Sequence, residues 1–286
     1  MMACGQTQGP DFLVIGAQRA GTTWIHRVLL KHPALWLPPV KELHYFDKLQ
    51  RTRTWLDPRE RRRLRPKVDL WHLKYLFGKR SDKWYAGLFQ KARDRGFIVG
   101  EVTPTYALLG EDVLLRIRRM NRDVKLIFVM RDPMDRIWSE LNNDVRKGFV
   151  TGALTPALAL QWMRRRLGIV ESSAYSDTVA RLEAAFPSTQ LHFCFFDDLE
   201  ARPKQFAFDL LSFLGTESAV VADSLPGPVN VASGESEIPD AFARVIAEEY
   251  LPMVIQLCDR FDGAPQRWRS RYEKLLASRP GQVDLD

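Results

Sequence analysis

The chain alternates short, mainly apolar runs with longer segments in which apolar residues recur every three or four positions. Phe12–Gly16 (FLVIG), Phe97–Glu101 (FIVGE), Lys125–Met130 (KLIFVM) and Leu191–Phe196 (LHFCFF) are of the first kind. Runs this short and continuous read as strands buried on both faces of a parallel sheet. Thr22 to Lys31 is of the second kind, with Trp24, Ile25, Val28 and Leu29 on one face and His32-Pro33 closing it. Glu111 to Asn121 repeats the pattern with Val113, Leu114, Ile117 and Met120. Asp132-Pro133 opens a further helix as N-cap and first-turn proline. Pro203 to Leu214 reads as a helix stopped by Gly215, and Ile238 to Phe261 as a long one that Pro252 should kink. Strands alternating with helices predict an α/β fold whose central parallel sheet is flanked by helices on both faces. Ligands in such sheets sit beyond the carboxyl ends of the strands. The loops to inspect therefore begin at Gly16, Glu101, Arg131 and Phe196. No repeat divides the 286 residues, so the expectation is one domain over 1–286, with residues 1–11 and 275–286 as flexible tails.

Composition adds limits. The opening residues MMACGQTQGPD lack a basic region followed by an apolar run, and no stretch reaches the roughly 18 apolar residues of a membrane span. Peripheral contact with a membrane stays open. Cys4, Cys194 and Cys258 are far apart and odd in number, which suggests neither a disulfide framework nor a metal site. A reducing cytoplasm is the simplest home, and the chain reads as a monomer or a homodimer. The net charge of +7 is concentrated locally, since residues 51–67 carry +6, eight basic side chains against Asp57 and Glu60. That run is either a solvated face or a landing surface for something anionic: an acidic glycan, a lipid head group or nucleic acid. Arg164–Arg166 adds weakly to it.

The loop after the first strand reads Gly16-Ala17-Gln18-Arg19-Ala20-Gly21-Thr22-Thr23. Two glycines five apart allow a tight wrap with inward-pointing amides, and Thr22 and Thr23 stand at a helix N-terminus, where an anion is favoured. The loop departs from the nucleotide-kinase pattern GxxxxGK[ST], because Thr22 replaces the lysine and the cation has moved to Arg19. A kinase uses that lysine on the β- and γ-phosphates, so its loss argues against a triphosphate. Here the chain resembles the sulfotransferases that use 3′-phosphoadenosine 5′-phosphosulfate (PAPS), especially the heparan-sulfate-type and related bacterial branch. The resemblance implies a three-layer P-loop-like fold, with Gln18, Arg19, Ala20, Gly21, Thr22, Thr23 and Trp24 around the 5′-phosphosulfate. The family more often has Lys at the position of Arg19.

Arg131 ends the third strand and Ser139 follows about two helical turns later, on the same face. The pair reads either as part of a capped helix start or as a second phosphate site. The resemblance favours the latter, since RDPMDRIWS looks like the family's 3′-phosphate segment. Trp138 and Arg136 read as packing and surface residues. The two loops together favour a nucleotide phosphorylated at 3′ and 5′ over ATP or NAD.

Val40-Lys41-Glu42-Leu43-His44-Tyr45-Phe46-Asp47 follows the first helix. It is either a polar loop with a core histidine or a catalytic segment. Sulfuryl transfer needs a base for the acceptor proton and positive charge on the oxygens around sulfur. The family carries a similar Lys-Glu-x-His-x-Phe-Asp segment, which implies Glu42 as general base, with His44 and Asp47 assisting. Arg19 would balance charge on the leaving oxygen, and Lys41 is a sulfate-side cation or a surface residue. Thr103, Pro104 and Tyr106 resemble the family's Thr/Ser-Pro-x-Tyr segment and are expected to line the acceptor cleft; a helix-starting turn is the other reading. The implied product is adenosine 3′,5′-bisphosphate, no metal is expected, and the expected acceptor is a hydroxyl-bearing molecule, neutral or anionic, and not a nucleic acid.

The match is good from Phe12 to about Lys147. Residues 148–190 and 215–240 match nothing, although Gly227–Gly234 corresponds in place to a late nucleotide-covering loop and has no Lys or Arg. Two other readings compete. A P-loop kinase would want Lys beside Thr22 and a Mg²⁺-binding acid such as Asp197 or Asp198; a nonenzymatic nucleic-acid binder would leave Glu42–Asp47 unexplained.

Overall fold

Every residue of the first strand, β1 (Phe12–Gly16), is buried, as its unbroken apolar run requires. The computed structural model describes residues 8–50, 70–152, 155–165, 171–217, 225–227 and 237–278. In chain order β1 is followed by α1 (Thr22–Lys31), β2 (Leu35–Trp36), α2 (Tyr45–Gln50), α3 (Leu70–Phe77), α4 (Asp82–Ala86), α5 (Gln90–Arg93) and β3 (Ile98–Val102). Next come α6 (Glu111–Met120), β4 (Lys125–Met130), α7 (Pro133–Arg146), α8 (Pro156–Arg165), α9 (Tyr175–Ala185) and β5 (Leu191–Phe195). The chain closes with α10 (Phe196–Ala201), α11 (Pro203–Leu214), α12 (Asp240–Cys258) and α13 (Ala264–Ala277).

The five strands form one sheet in the order β2-β3-β1-β4-β5, and every neighbouring pair is parallel. From β1 the chain first runs outward to β2, and later crosses back past β1 to reach β4. Parallel crossovers are right-handed, so these opposite journeys place their helices on opposite faces. Trp24 of α1 meets Phe206 of α11 edge-on, with ring centroids 6.1 Å apart, and Trp138 of α7 meets Phe242 of α12 at 5.8 Å. The loops after β1 and β4 therefore diverge and leave a crevice between them.

Several boundaries differ from the sequence expectation. The edge strand β2 is only two residues long, too short for a periodic signal. Residues 8–11 are tied down rather than loose, since Gly9 N–H donates to Met120 O and Arg93 pairs with Asp11 at 2.9 Å. At the other end α13 continues through residues 275–277. Arg136 is not a surface residue: it is buried with 1% exposure and donates to Ser173 Oγ at 2.8 Å. Helix α12 runs through Pro252 without interruption. The basic run 51–67, Arg166 and residues 228–234 lie outside the described residues.

The loop after β4 is held from the far end of the chain. Asp132 caps α7 by accepting from Met134 N–H at 2.9 Å. Its carboxylate also takes the Tyr272 hydroxyl at 2.6 Å and Arg271 at 2.7 Å, both from α13.

Candidate active site

The first candidate anion site starts where β1 gives way to α1. A Cβ on Gly16 would lie 2.8 Å from Ala107 Cβ and 3.1 Å from the Phe128 ring. Gly21 occupies the left-handed region (φ 82) at the N-cap of α1, and no side chain caps that helix. The N-terminal dipole and first-turn amides are thereby presented to the crevice, the arrangement that binds phosphates.

The second candidate anion site touches the first. Ser139 Oγ accepts from Arg19 Nε at 3.2 Å and from Nη2 at 2.9 Å. Arg19 Nε lies 3.7 Å from Glu140. Arg131 Nη1 donates to the Arg19 carbonyl at 3.1 Å, and its guanidinium lies 4.5 Å from the centre of the Phe196 ring. The two arginines that the sequence assigned to separate phosphates thus stand side by side at the crevice between β1 and β4.

The Lys41–Asp47 segment approaches from the β3 side. Lys41 Nζ donates to Thr23 Oγ1 at 2.9 Å and lies 3.4 Å from Glu42 Oε1. Lys41 is therefore a bridge between the phosphate loop and the carboxylate, not a stray surface cation. His44 sits between two carboxylates, with Nε2 at 3.5 Å from Glu42 and Nδ1 at 2.8 Å from Asp47. Thr105 Oγ1 donates to Asp47 Oδ2 at 2.9 Å.

The electrostatics follow from these contacts. Burial would lower the His44 pKa, but the hydrogen bonds and charges of Asp47 and Glu42 outweigh it and raise it to about 9. Burial would raise the Glu42 pKa, yet His44 and Lys41 hold it below the usual carboxylate value. At neutral pH His44 is therefore a cation held between two carboxylates, Glu42 and Asp47, whose own pKa values are lowered.

Among the described residues, the non-glycine positions with positive φ are Arg19 (65°), Glu42 (61°) and His44 (52°). Strained backbone of this kind persists only where surrounding contacts over-determine it, and it gathers at functional sites. Here it coincides with three of the four residues singled out for catalysis. Leu43 explains how the pair at 42 and 44 is held. Its side chain is 3% exposed and so anchored in the core, while its N–H donates to Glu101 Oε2 at 3.3 Å. With Leu43 pinned inward, the carboxylate of Glu42 and the ring of His44 meet on the other side.

Glu101 was legible only as the end of a strand, and the structure gives it a larger part. Burial raises its pKa, opposed by hydrogen bonds from Tyr85, Thr103 and Tyr106. Thr103 Oγ1 donates at 2.8 Å and Tyr106 OH at 3.0 Å, and Tyr85 OH also donates to it. Tyr106 OH in turn accepts from Tyr45 N–H at 2.9 Å. Thr103 and Tyr106, expected to line an acceptor cleft, are 0% and 1% exposed and Pro104 is buried too. They face inward because the Glu101 carboxylate and the amides of Tyr45 and Phe46 need their hydroxyls. Thr105 takes the cleft position instead. With Asp47, Leu109, Asp177 and Arg181 it lines a cleft of about 470 Å³.

Residues 10–219 match the family model described as the sulfotransferase family. The chain belongs to that family. Among curated proteins, the membrane-associated sulfotransferase kil1 of Dictyostelium discoideum is 23% identical over 158 residues, which cover 54% of this chain and 24% of kil1. The chain thus spans about a quarter of the length of that relative. The sulfotransferase of Alicyclobacillus acidocaldarius superposes with a TM-score of 0.67 at 24% identity, covering 91% of this chain and 98% of that one. A mouse sulfotransferase solved in complex with PAP gives 0.53 at 13% identity, covering 93% and 91%. The sulfotransferase domain of the curacin biosynthetic pathway gives 0.53 at 17%, covering 95% and 98%. At such identities these structures establish the shared fold.

Two further features bear on the site. Trp24 Nε1 donates to the Pro226 carbonyl at 3.0 Å, so the short segment 225–227 reaches the start of α1. Asp197 and Asp198, the acids a kinase would have offered to a metal, are engaged elsewhere. Asp197 accepts from Trp268 at 3.1 Å, and Asp198 pairs with Arg202 at 3.2 Å. Among the described residues no helix is long and apolar enough to cross a membrane, and no group of three or more His, Cys, Asp or Glu is placed to hold a metal ion.

Proposed function

We propose that this chain transfers the sulfuryl group of PAPS to a hydroxyl, or secondarily an amine, of a carbohydrate, glycolipid or small metabolite, with Glu42 as general base. The observation that carries the reading is Lys41, which spans from Thr23 in the phosphate loop to Glu42 within 2.9 and 3.4 Å. One side chain thereby links the place where a 5′-phosphosulfate would lie to the carboxylate that would serve the acceptor.

The residues present fit the donor. The uncapped start of α1 and the residues Gln18 to Trp24 suit its 5′ end, and Arg131 with Ser139 suits a 3′-phosphate. That the two arginine sites adjoin across the β1–β4 crevice favours one ligand bearing both anions. The donor, when bound, supplies an activated sulfuryl group on a phosphate leaving oxygen. Glu42 takes the proton of the acceptor hydroxyl. His44, positively charged and oriented by Asp47, keeps Glu42 ionised and aimed. Arg19 and Lys41 place positive charge beside the sulfuryl and leaving oxygens, where it counts most as negative charge develops. No covalent link to the enzyme is required. Thr105 and Asp47 are the side chains offered to the acceptor, and Thr103 and Tyr106 support them from behind.

The test is Glu42→Gln, assayed with labelled PAPS across a panel of acceptor classes. Adenosine 3′,5′-bisphosphate affinity should be kept while transfer falls by about 10²- to 10⁴-fold, the usual contribution of a positioned general base. Transfer at the wild-type rate in this variant would remove Glu42 from the role.

A further inference from the structure

Large apolar side chains that stand exposed are usually scattered singly, and clustered ones mark contact surfaces. Among the described residues, five follow the first rule: Leu30, Leu115, Phe149, Phe208 and Ile255 each sit on a different segment. The other three share one eight-residue helix. Leu70, Leu73 and Phe77 of α3 are 80%, 40% and 77% exposed, and their spacing of three and four places them along one stripe of that helix.

The stripe does not stand alone. Leu70 and Leu73 border an apolar groove of about 670 Å³, lined on its far side by Trp36, Leu88 and Phe97. Its polar lining residues are Lys74, Lys91 and Arg95, and no carboxylate lines it. The chain immediately before the helix, residues 51–67, carries a net +6. Apolar side chains projecting from one helix, a cationic rim and a strongly basic approach make up the pattern of a helix that lies at an anionic lipid interface. A purely electrostatic ligand would leave the exposed leucines and phenylalanine without a use, and a purely apolar partner would leave the rim without one.

We infer that α3 and its groove dock the protein on an anionic membrane surface, with Leu70, Leu73 and Phe77 entering the interface and Lys74, Lys91 and Arg95 meeting the head groups. The contact is peripheral. It is independent of which donor or acceptor the crevice takes, because none of these residues belongs to the candidate active site.

Vesicle flotation of the full chain tests it, comparing neutral phosphatidylcholine vesicles with vesicles containing about a third anionic phosphatidylglycerol. The wild type should float with the anionic vesicles and remain in solution with the neutral ones. The double variant L70E/F77E should lose at least tenfold in bound fraction, with an unchanged far-UV spectrum and unfolding temperature. K91E/R95E should lose binding chiefly at low salt, where head-group attraction is least screened. Wild-type protein that stays in solution with anionic vesicles overturns the inference, and so does flotation of L70E/F77E at the wild-type level. Light scattering supplies the remaining arm: a wild-type dimer that L70E/F77E splits, with no flotation of either, would assign the stripe to a second copy of the chain instead.

Discussion

A left-handed backbone at a non-glycine residue costs about 1–2 kcal/mol, and Arg19, Glu42 and His44 all adopt one. For two of them the holding contacts are clear. Leu43 between Glu42 and His44 is buried and tied to Glu101, and His44 is gripped by carboxylates on both ring nitrogens. That grip has a pH signature. The His44 pKa rises from its ordinary value near 6.5 to about 9, so its contribution to stability is complete below about pH 6.5 and is lost as pH climbs through 9. Thermal unfolding of wild type against His44→Gln should therefore show the variant clearly less stable at pH 6, with the gap closing by about pH 10. A gap that stayed constant with pH would mean that His44 is not held as a cation. The sequence revealed the charged residues of this segment because their types and order are distinctive. It did not reveal Glu101 or Thr105 as partners, because which hydroxyl turns inward depends on the path of the chain after β3: Thr103 and Tyr106 turn toward the buried carboxylate, and Thr105 toward Asp47.

At the scale of elements, the join of β1 to α1 shapes one side of the crevice proposed to take an anion. Gly21 has φ 82, and a Cβ there would lie 2.7 Å from Leu199 and 2.9 Å from Phe196, both on α10. Gly96 has φ 85 with nothing within 4 Å of the same added atom. The two positions separate backbone strain from collision. Gly21→Ala and Gly96→Ala should each lose about 1–2 kcal/mol in stability from the backbone, with Gly21→Ala losing more. Only Gly21→Ala should weaken nucleotide binding, because it displaces the start of α1 from α10. Equal nucleotide affinity in the two variants would contradict that role for the glycine. The strands β1, β3, β4 and β5 were legible because each is a continuous apolar run. β2 was not, because two residues carry no period and its pairing with β3 is a tertiary choice. The short helices between β2 and β3 were missed for the same reason. In α4, for example, Ser81 caps only five residues, and Trp84 and Tyr85 are buried by packing rather than arranged by periodicity.

For the molecule as a whole, the topology accounts for the site. The strand order β2-β3-β1-β4-β5 puts β1 in the middle, and the loops that follow β1 and β4 leave toward opposite faces. Arg19 and Arg131, 112 residues apart, therefore meet at one crevice. The alternation of strands and helices, together with the two arginine-bearing loops, made that meeting foreseeable. The docking of α13 against Asp132 was not, since Arg271 and Tyr272 carry no motif and reach the loop only through the final fold. Family membership supports sulfuryl transfer as the chemistry, and the donor is to be measured. The crevice is proposed to hold a nucleotide bearing phosphates at both 3′ and 5′. Titration calorimetry with adenosine 3′,5′-bisphosphate measures it directly. The wild-type protein should bind equally well with magnesium or with chelator present, and Arg131→Ala should bind at least tenfold more weakly, a loss of about 1.4 kcal/mol or more. No binding by the wild type, or unchanged affinity in Arg131→Ala, would contradict the account.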